Sequence, residues 1–257
     1  VNSDIVRRLV DLNRAFYQTF AAPFAATRVR VQPGARRLLG RVGPQSAVAD
    51  LGCGDGNAAR WLGSHGHCGR YLGLDLSPAL LSIALATEFP FPAEFHSVDF
   101  LAEGWNRTMP EESFDFALAF AVLQHIPGEP GRAAFLAACR CLLIPGATLF
   151  LSNWQFLRSE KLRSRIVPWS EIGLSESDVD PGDYLLDWRQ GGRGLRYVHI
   201  IDIEERLRLA AQAGFKETGC FESDGENGSL ADYAVWALTP GLSSSNLSPS
   251  PPAPSPS

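Results

Sequence analysis

The stretch VADLGCGDGNAARWL, Val48 to Leu62, constrains the fold more than any other part of the chain. An apolar run enters a turn with glycine at 52, 54 and 56, and a helix-like segment follows at once. Strand, side-chain-poor turn and helix in immediate succession are the opening unit of a parallel sheet with crossover helices. The glycines do not complete the dinucleotide fingerprint G-x-G-x-x-G, because Asn57 stands where a third glycine would let helix and strand pack closely. No Lys-Ser or Lys-Thr pair follows, which excludes a P-loop.

The alternation continues downstream. Strands are expected at Ala47–Leu51, Tyr71–Asp75, Ala93–Val98, Phe114–Val122 and Thr148–Trp154, with helix-length segments between them. Runs such as FDFALAFAVL and ATLFLS are apolar almost throughout, as strands buried on both faces are. Upstream, Ile5, Leu9, Leu12, Phe16 and Phe20 recur by threes and fours, so Asp4 to Phe20 is read as an amphipathic helix. A second helix follows Pro33 and stops near Gly43 and Pro44. Late in the chain, Ile203 to Ala213 reads as a helix stopped by Gly214. Strands at Phe215–Ser223 and Asp232–Leu238 then suggest an antiparallel hairpin edge.

The expected fold is α/β, a doubly wound and mostly parallel seven-stranded sheet with N-terminal helices. Its divisions are an N-terminal helical cap (1–45) and a main domain (46–238), in which 156–195 is an insert read as a substrate lid. A Ser/Pro tail (239–257) has nothing to build a core from and is read as disordered.

Five cysteines, without a CxxC pair or clustered histidines, argue against a disulfide framework or a zinc site; no metal is expected, and reduced thiols suit a cytoplasmic protein. No run approaches the roughly 18 apolar residues of a membrane helix. The net charge is -5, yet residues 1–45 hold eight arginines against only Asp4 and Asp11. A second basic cluster joins Arg158, Lys161, Arg163 and Arg165. Such clusters serve either as solvated helix faces or as docking points for an anionic partner such as RNA.

Three acids close successive expected strands. Asp50 lies at the end of the first, Asp75 at the tip of the second, where an acid accepts hydrogen bonds from ribose hydroxyls, and Asp99 at the third, within reach of an adenine amino group with Phe100 as an apolar wall. An adenosine-containing ligand is implied. The segments DLGCGDG, GLDLS, VDF and FDFALAFAVLQHI resemble the successive motifs of class I S-adenosylmethionine (SAM)-dependent methyltransferases, over about Leu38 to Leu238. That resemblance implies a Rossmann-like methyltransferase fold, SAM as cofactor, and a cofactor site made of Asp50, Gly52, Cys53, Gly54, Asp75, Leu76, Asp99, Phe100, Ala121 and Leu123.

A narrower likeness lies upstream. FYQTFAAPFAATR resembles the Y-x-x-x-A-x-x-F-x-x-T-R segment of the tRNA wobble-uridine carboxymethyl methyltransferases, with Tyr17, Ala21, Phe24, Thr27 and Arg28 on the pattern. LSNWQF and RYVHIID are similar to later segments of that family. Asn153, Trp154 and Tyr197 are read as substrate contacts, since Trp154 and Tyr197, with Tyr17, suit stacking on a flat ring such as a base. Two departures stand out: Gln124-His125 replaces the family's paired histidines, and LLIPGA replaces its proline-glycine-glycine turn. The resemblance implies tRNA as methyl acceptor and a small activator subunit as a partner.

The residue types permit two chemistries. A carboxylate acceptor is already ionised and needs no base, so Arg28 suffices as a bidentate clamp, on either the acceptor carboxylate or the methionine carboxylate of SAM. A phenol, amine or carbon acceptor needs a base, for which His125 and His199 are the candidates, with Tyr17 beside them. Small-molecule O-, N- or C-methylation on the same fold, and a non-catalytic SAM-fold partner subunit, are the competing readings.

Overall fold

Local signals on the chain account for where most elements begin. The computed structural model describes residues 1–239 apart from 29 and 112, so the Ser/Pro tail read as disordered falls, past Thr239, outside the described residues. Helix α1 (Ser3–Thr19) starts at Asn2, whose side-chain oxygen accepts from the Ile5 N–H at 2.9 Å. Its apolar stripe buries Ile5, Leu9 and Phe16. Helices α2 (Ala21–Ala26) and α3 (Pro33–Leu39) follow, the latter with proline in its first turn.

Strand β1 (Val48–Leu51) then leads through the glycine turn into α4 (Asn57–Ser64), and β2 (Tyr71–Asp75) leads into α5 (Pro78–Leu85). Next come β3 (Ala93–Ser97), β4 (Phe114–Phe120), α6 (Glu129–Leu142) and β5 (Leu143–Trp154). The chain finishes with α7 (Glu160–Arg163), β6 (Ile166–Val167), β7 (Asp183–Trp188), β8 (Gly194–His199), α8 (Ile203–Gln212), β9 (Phe215–Ser223) and β10 (Ala231–Leu238).

Seven strands form one sheet in the order β3-β2-β1-β4-β5-β10-β9, parallel from β3 to β5, with β10 antiparallel between β5 and β9. Alternate residues feed two cores. Ala49, Leu51, Leu149 and Leu151 pack with Phe135 of α6 and Leu209 of α8 on one face; Val48, Leu118 and Phe150 pack with Leu38 of α3 and Leu62 of α4 on the other. The seven-stranded α/β expectation is met. Strand order reverses between β1 and β4, so a crevice opens at their carboxyl ends, where ligands of such sheets gather.

Two expectations need correction. The described residues between β3 and β4 form turns instead of a helix; Phe100 and Trp105 there pack edge-on and stacked against Phe135, filling the space a crossover helix would cover. The insert read as a lid contains a second sheet, β6-β7-β8, which continues past residue 195 to His199. Leu185 and Tyr197 on one face of that sheet meet Ile5 and Leu9 of α1, while Leu186 and Val198 on the other meet Phe156. No helix among the described residues is long and apolar enough to cross a membrane.

Candidate functional site

A cavity of about 520 Å³ lies over the carboxyl ends of β1, β2 and β4, roofed by α1, α2 and the second sheet. Its floor is the glycine turn. Gly52 has φ +82°, and a Cβ there would clash with the Val122 side chain, so this glycine is required by packing. Gly54 has φ +57°, and a Cβ there would meet nothing within 4 Å, so its absence of side chain keeps the cavity open. The Gly54 N–H donates to Asp75 Oδ2 and the Ser77 N–H to Asp75 Oδ1, both at 2.8 Å. These bonds fix the Asp75 carboxylate at the tip of β2 while leaving lone pairs free for hydroxyl donors. Burial raises the pKa of Asp75, and these backbone donors counter it.

Asp50 is 3% exposed and takes a short hydrogen bond from the Tyr71 hydroxyl. Burial pushes its pKa up to about 7, partly relieved by Tyr71 and reinforced by Asp75. Asp99 also lines the cavity, with Oδ1 accepting from the Leu101 N–H at 3.0 Å and Oδ2 from Arg14 of α1 at 2.8 Å. Cys53, Leu76, Phe100 and Ala121 line the same floor. Ala121 sits at φ +57°, a left-handed conformation uncommon outside glycine, held by its N–H donating to the carbonyl (3.0 Å) and hydroxyl (3.1 Å) of Ser152.

The roof is positioned by one buried residue. Asn13 of α1 donates to the Tyr197 carbonyl at 3.1 Å and accepts from the Tyr197 N–H at 2.8 Å, which docks α1 on β8. One turn along the same face, the Tyr17 hydroxyl reaches His125 Nε2 at 3.0 Å. His125 Nδ1 faces the Tyr197 carbonyl at 3.2 Å, and a carbonyl only accepts, so Nδ1 carries the hydrogen and Nε2 accepts from Tyr17. Burial, then the charges of Arg196 and Arg28, press the His125 pKa down to about 3. Burial likewise raises the Tyr17 pKa, with Arg196 and Arg28 opposing. Arg28 lines the cavity with its guanidinium 4.8 Å from the Phe24 ring; its carbonyl accepts from Asn57 Nδ2, at the start of the helix that follows the glycine turn. Trp154 completes this side, its backbone N–H donating to Gln124 Oε1 at 2.6 Å.

Four residues expected at the site lie elsewhere. Leu123 is in the α6-side core. Asn153 is buried on the face that continues Leu149 and Leu151, whereas Ser152 and Trp154 line the cavity. Tyr197 packs against α1 and donates its hydroxyl to Asp183 at 2.7 Å. His199, a candidate base, is 3% exposed and bridges Asp183 (2.7 Å) and Glu205 (2.8 Å), away from the cavity. Burial pulls its pKa down, but the two carboxylates outweigh burial and the net shift is upward. Sequence reasoning passed over Arg196, Trp188 and Gln124 as site residues, all of which line the cavity.

Residues 49–151 match the family described as "Methyltransferase domain". The chain is similar to trans-aconitate 2-methyltransferase of Streptomyces avermitilis, 35% identical over 129 residues, 50% of this chain and 44% of that one. It is also similar to the tRNA (carboxymethyluridine(34)-5-O)-methyltransferase of Arabidopsis thaliana, 25% identical over 168 residues, 65% of this chain and 38% of that one. The chain thus spans less than half the length of these two curated relatives.

The fold is shared with a SAM-dependent methyltransferase from Methanosarcina mazei, at a TM-score of 0.63 and 19% identity, over 82% of this chain and 99% of that one. It is shared as well with a chain of the complex between the Haloferax volcanii Trm112 methyltransferase activator and a methyltransferase, at a TM-score of 0.61 and 17% identity, over 90% and 99%. Residues 49–151 are thus a methyltransferase domain, on a fold shared with SAM-dependent methyltransferases. The open turn at Gly54 with the fixed carboxylate of Asp75 fits the amino-acid and ribose parts of S-adenosylmethionine.

Proposed function

We propose that the chain methylates an oxygen of an acceptor that arrives already ionised, a carboxylate. The observation that carries this reading is His125. It is the histidine that lines the cavity, both ring nitrogens are engaged, and a pKa near 3 leaves it too weak a base to deprotonate a phenol or an amine. An anionic acceptor needs no such base. When bound, SAM supplies a methyl on a positively charged sulfur, so transfer to a carboxylate oxygen forms one O–C bond, breaks one S–C bond, cancels one charge of each sign and moves no proton. The protein's part is alignment and exclusion of water, which the roof of Tyr17, Phe24, Trp154 and Trp188 provides.

Two relatives support the same acceptor chemistry, since trans-aconitate and carboxymethyluridine both carry carboxylates. Within this reading, a tRNA wobble uridine is the finer assignment. Arg30 lies at the cavity rim, and Arg30, Arg36, Arg37 and Arg41 are exposed and form no ion pair among the described residues, as phosphate contacts would require. A Trm112-type activator subunit belongs to the tRNA reading as a partner.

The test uses methyl-labelled SAM with purified tRNA or with a small-molecule extract. Label released as methanol by mild alkali is expected of a methyl ester, and an alkali-stable methyl group overturns the carboxylate reading. Binding to tRNA that weakens steeply between low and physiological salt supports the RNA acceptor; salt-independent turnover of the small-molecule fraction favours the alternative.

A further inference from the structure

Arg196 of β8 is 7% exposed and lines the cavity. Its guanidinium lies 4.9 Å from the ring of Trp154, 5.5 Å from Phe16 and 5.5 Å from Trp188. No carboxylate forms an ion pair with it among the described residues, its Nε is buried without a hydrogen-bond partner, and the charges acting on it most strongly besides the Tyr17 hydroxyl are the cations Arg28 and Arg165. Burial lowers its pKa, as expected where the charged form is disfavoured. Two other buried arginines are paired within the fold: Arg132 meets Glu205 at 2.7 Å and Arg206 meets Glu217 at 2.8 Å. Arg140 of α6 is buried without an ion pair among the described residues, but it does not line the cavity. A buried cation without a counter-ion is costly, and the missing anion here has a cavity to enter by.

Resting on the carboxylate reading above, we infer that Arg196 is the anchor for the acceptor's carboxylate, with Trp154 and Trp188 flanking the group that bears it. The methionine carboxylate of the cofactor is the other source of the same chemistry. Placement favours the acceptor. Arg196 projects from the second sheet beside Tyr17 and His125, whereas Arg28 is tied through Asn57 to the helix that leaves the glycine turn. Anchoring by charge also sets a direction to turnover. Transfer converts the anion to a neutral ester, the guanidinium loses its partner, and the product is held less tightly than the acid.

Phenylacetate, with methyl phenylacetate as its uncharged ester, is the probe, titrated into the protein saturated with S-adenosylhomocysteine (SAH), the demethylated form of SAM, and read by tryptophan fluorescence. The acid is expected to bind about tenfold or more tighter than the ester, the worth of a hydrogen-bonded charge. Arg196→Met removes that preference, leaves SAH affinity unchanged within about twofold, and does not lower Tm, because a costly unpaired charge is replaced by an apolar chain of similar length. Arg196→Lys keeps the charge without the fork and retains part of the preference. The inference is overturned if the wild type binds acid and ester alike or binds neither, or if Arg196→Met keeps the preference, loses SAH affinity instead, or melts earlier than the wild type. Loss of the preference in Arg28→Met but not in Arg196→Met also overturns it. Failure here leaves the carboxylate reading standing wherever the wild type still forms an alkali-labile methyl; an alkali-stable methyl refutes that reading whatever Arg196 does.

Discussion

Two buried polar regions lie on either side of β8, built from the same residue types and arranged in opposite ways. Around α8, His199 bridges Asp183 and Glu205, Arg132 meets Glu205, and Arg206 meets Glu217, so nearly every charge has its complement. Around the cavity, Arg196 has no ion-pair partner among the described residues, the His125 pKa is pressed down to about 3, and that of Asp50 up to about 7. Burial alone therefore does not mark a functional group. What separates the regions is completion: the first closes its electrostatics within the fold, and the second leaves a positive charge to be satisfied from outside.

The largest effect is expected in the closed region. Arg132→Met leaves Glu205 buried with His199 as its remaining cation and should cost about 3–5 kcal/mol in urea unfolding, the penalty for breaking one half of a buried pair. Arg196→Met, on the open side, should cost nothing. Equal losses in the two variants would dissolve the distinction.

Next come the two turn glycines, which divide along the same line. Gly52→Ala drives a Cβ into Val122 and should destabilise by about 1–3 kcal/mol, read in the same unfolding experiment. Gly54→Ala should cost about 1–2 kcal/mol, for its left-handed backbone alone, and should weaken SAH binding, measured calorimetrically, because the added methyl projects into open space above the turn. An unchanged SAH affinity in Gly54→Ala would remove the turn from the cofactor site.

The open region was partly legible in the chain, and its gaps share one physical cause. Strands β2 and β9 have the bounds expected of them. Within β5, the sequence motif puts Asn153 and Trp154 side by side, yet side chains alternate, so Trp154 and Ser152 face the cavity and Asn153 the opposite core. In β8 the same alternation holds: Arg196 faces the cavity, while Tyr197 and His199, of the opposite parity, point to α1 and α8, and without a strand expected in the insert that parity is not legible. One residue of register decides the face. The exchange of Leu123 for Val122 and Gln124 is a related case at the tip of β4, where a single 3-10 turn follows the left-handed Ala121. The missing helix between β3 and β4 has a different origin, since Phe100 and Trp105 cover that side of the core from turns.

A smaller effect should appear in the pH dependence of stability. The His199 pKa is raised in the fold, so its pairing stabilises fully below the unfolded value of about 6.5 and is lost as pH rises through the higher folded value. Asp50 acts in the same direction at lower pH, its burial cost growing from about 4, the unfolded value, and levelling off above its folded value of about 7. Unfolding free energies measured above pH 7 should therefore decline in the wild type and stay flatter in His199→Gln. A parallel decline in both would show that His199 carries no proton in the fold.

The smallest effect is expected at His125, and it bears most directly on the chemistry. Removal of a general base usually lowers turnover by about 10²–10⁴. His125→Asn should instead lower kcat less than about tenfold, since the imidazole positions Tyr17 and the β8 carbonyl without taking a proton from the acceptor. With a pKa near 3 for His125 and about 4 for an ordinary carboxylate, kcat at saturating SAM should be level from pH 6 to 9. Saturation matters because Asp50 titrates near 7 beneath the glycine turn, so cofactor affinity can change with pH there while the transfer step does not. An inflection between pH 6 and 7 that persists at saturating SAM and disappears in His125→Asn would make this histidine a base after all, and the cavity's openness would then be prepared for a proton as well as for an anion.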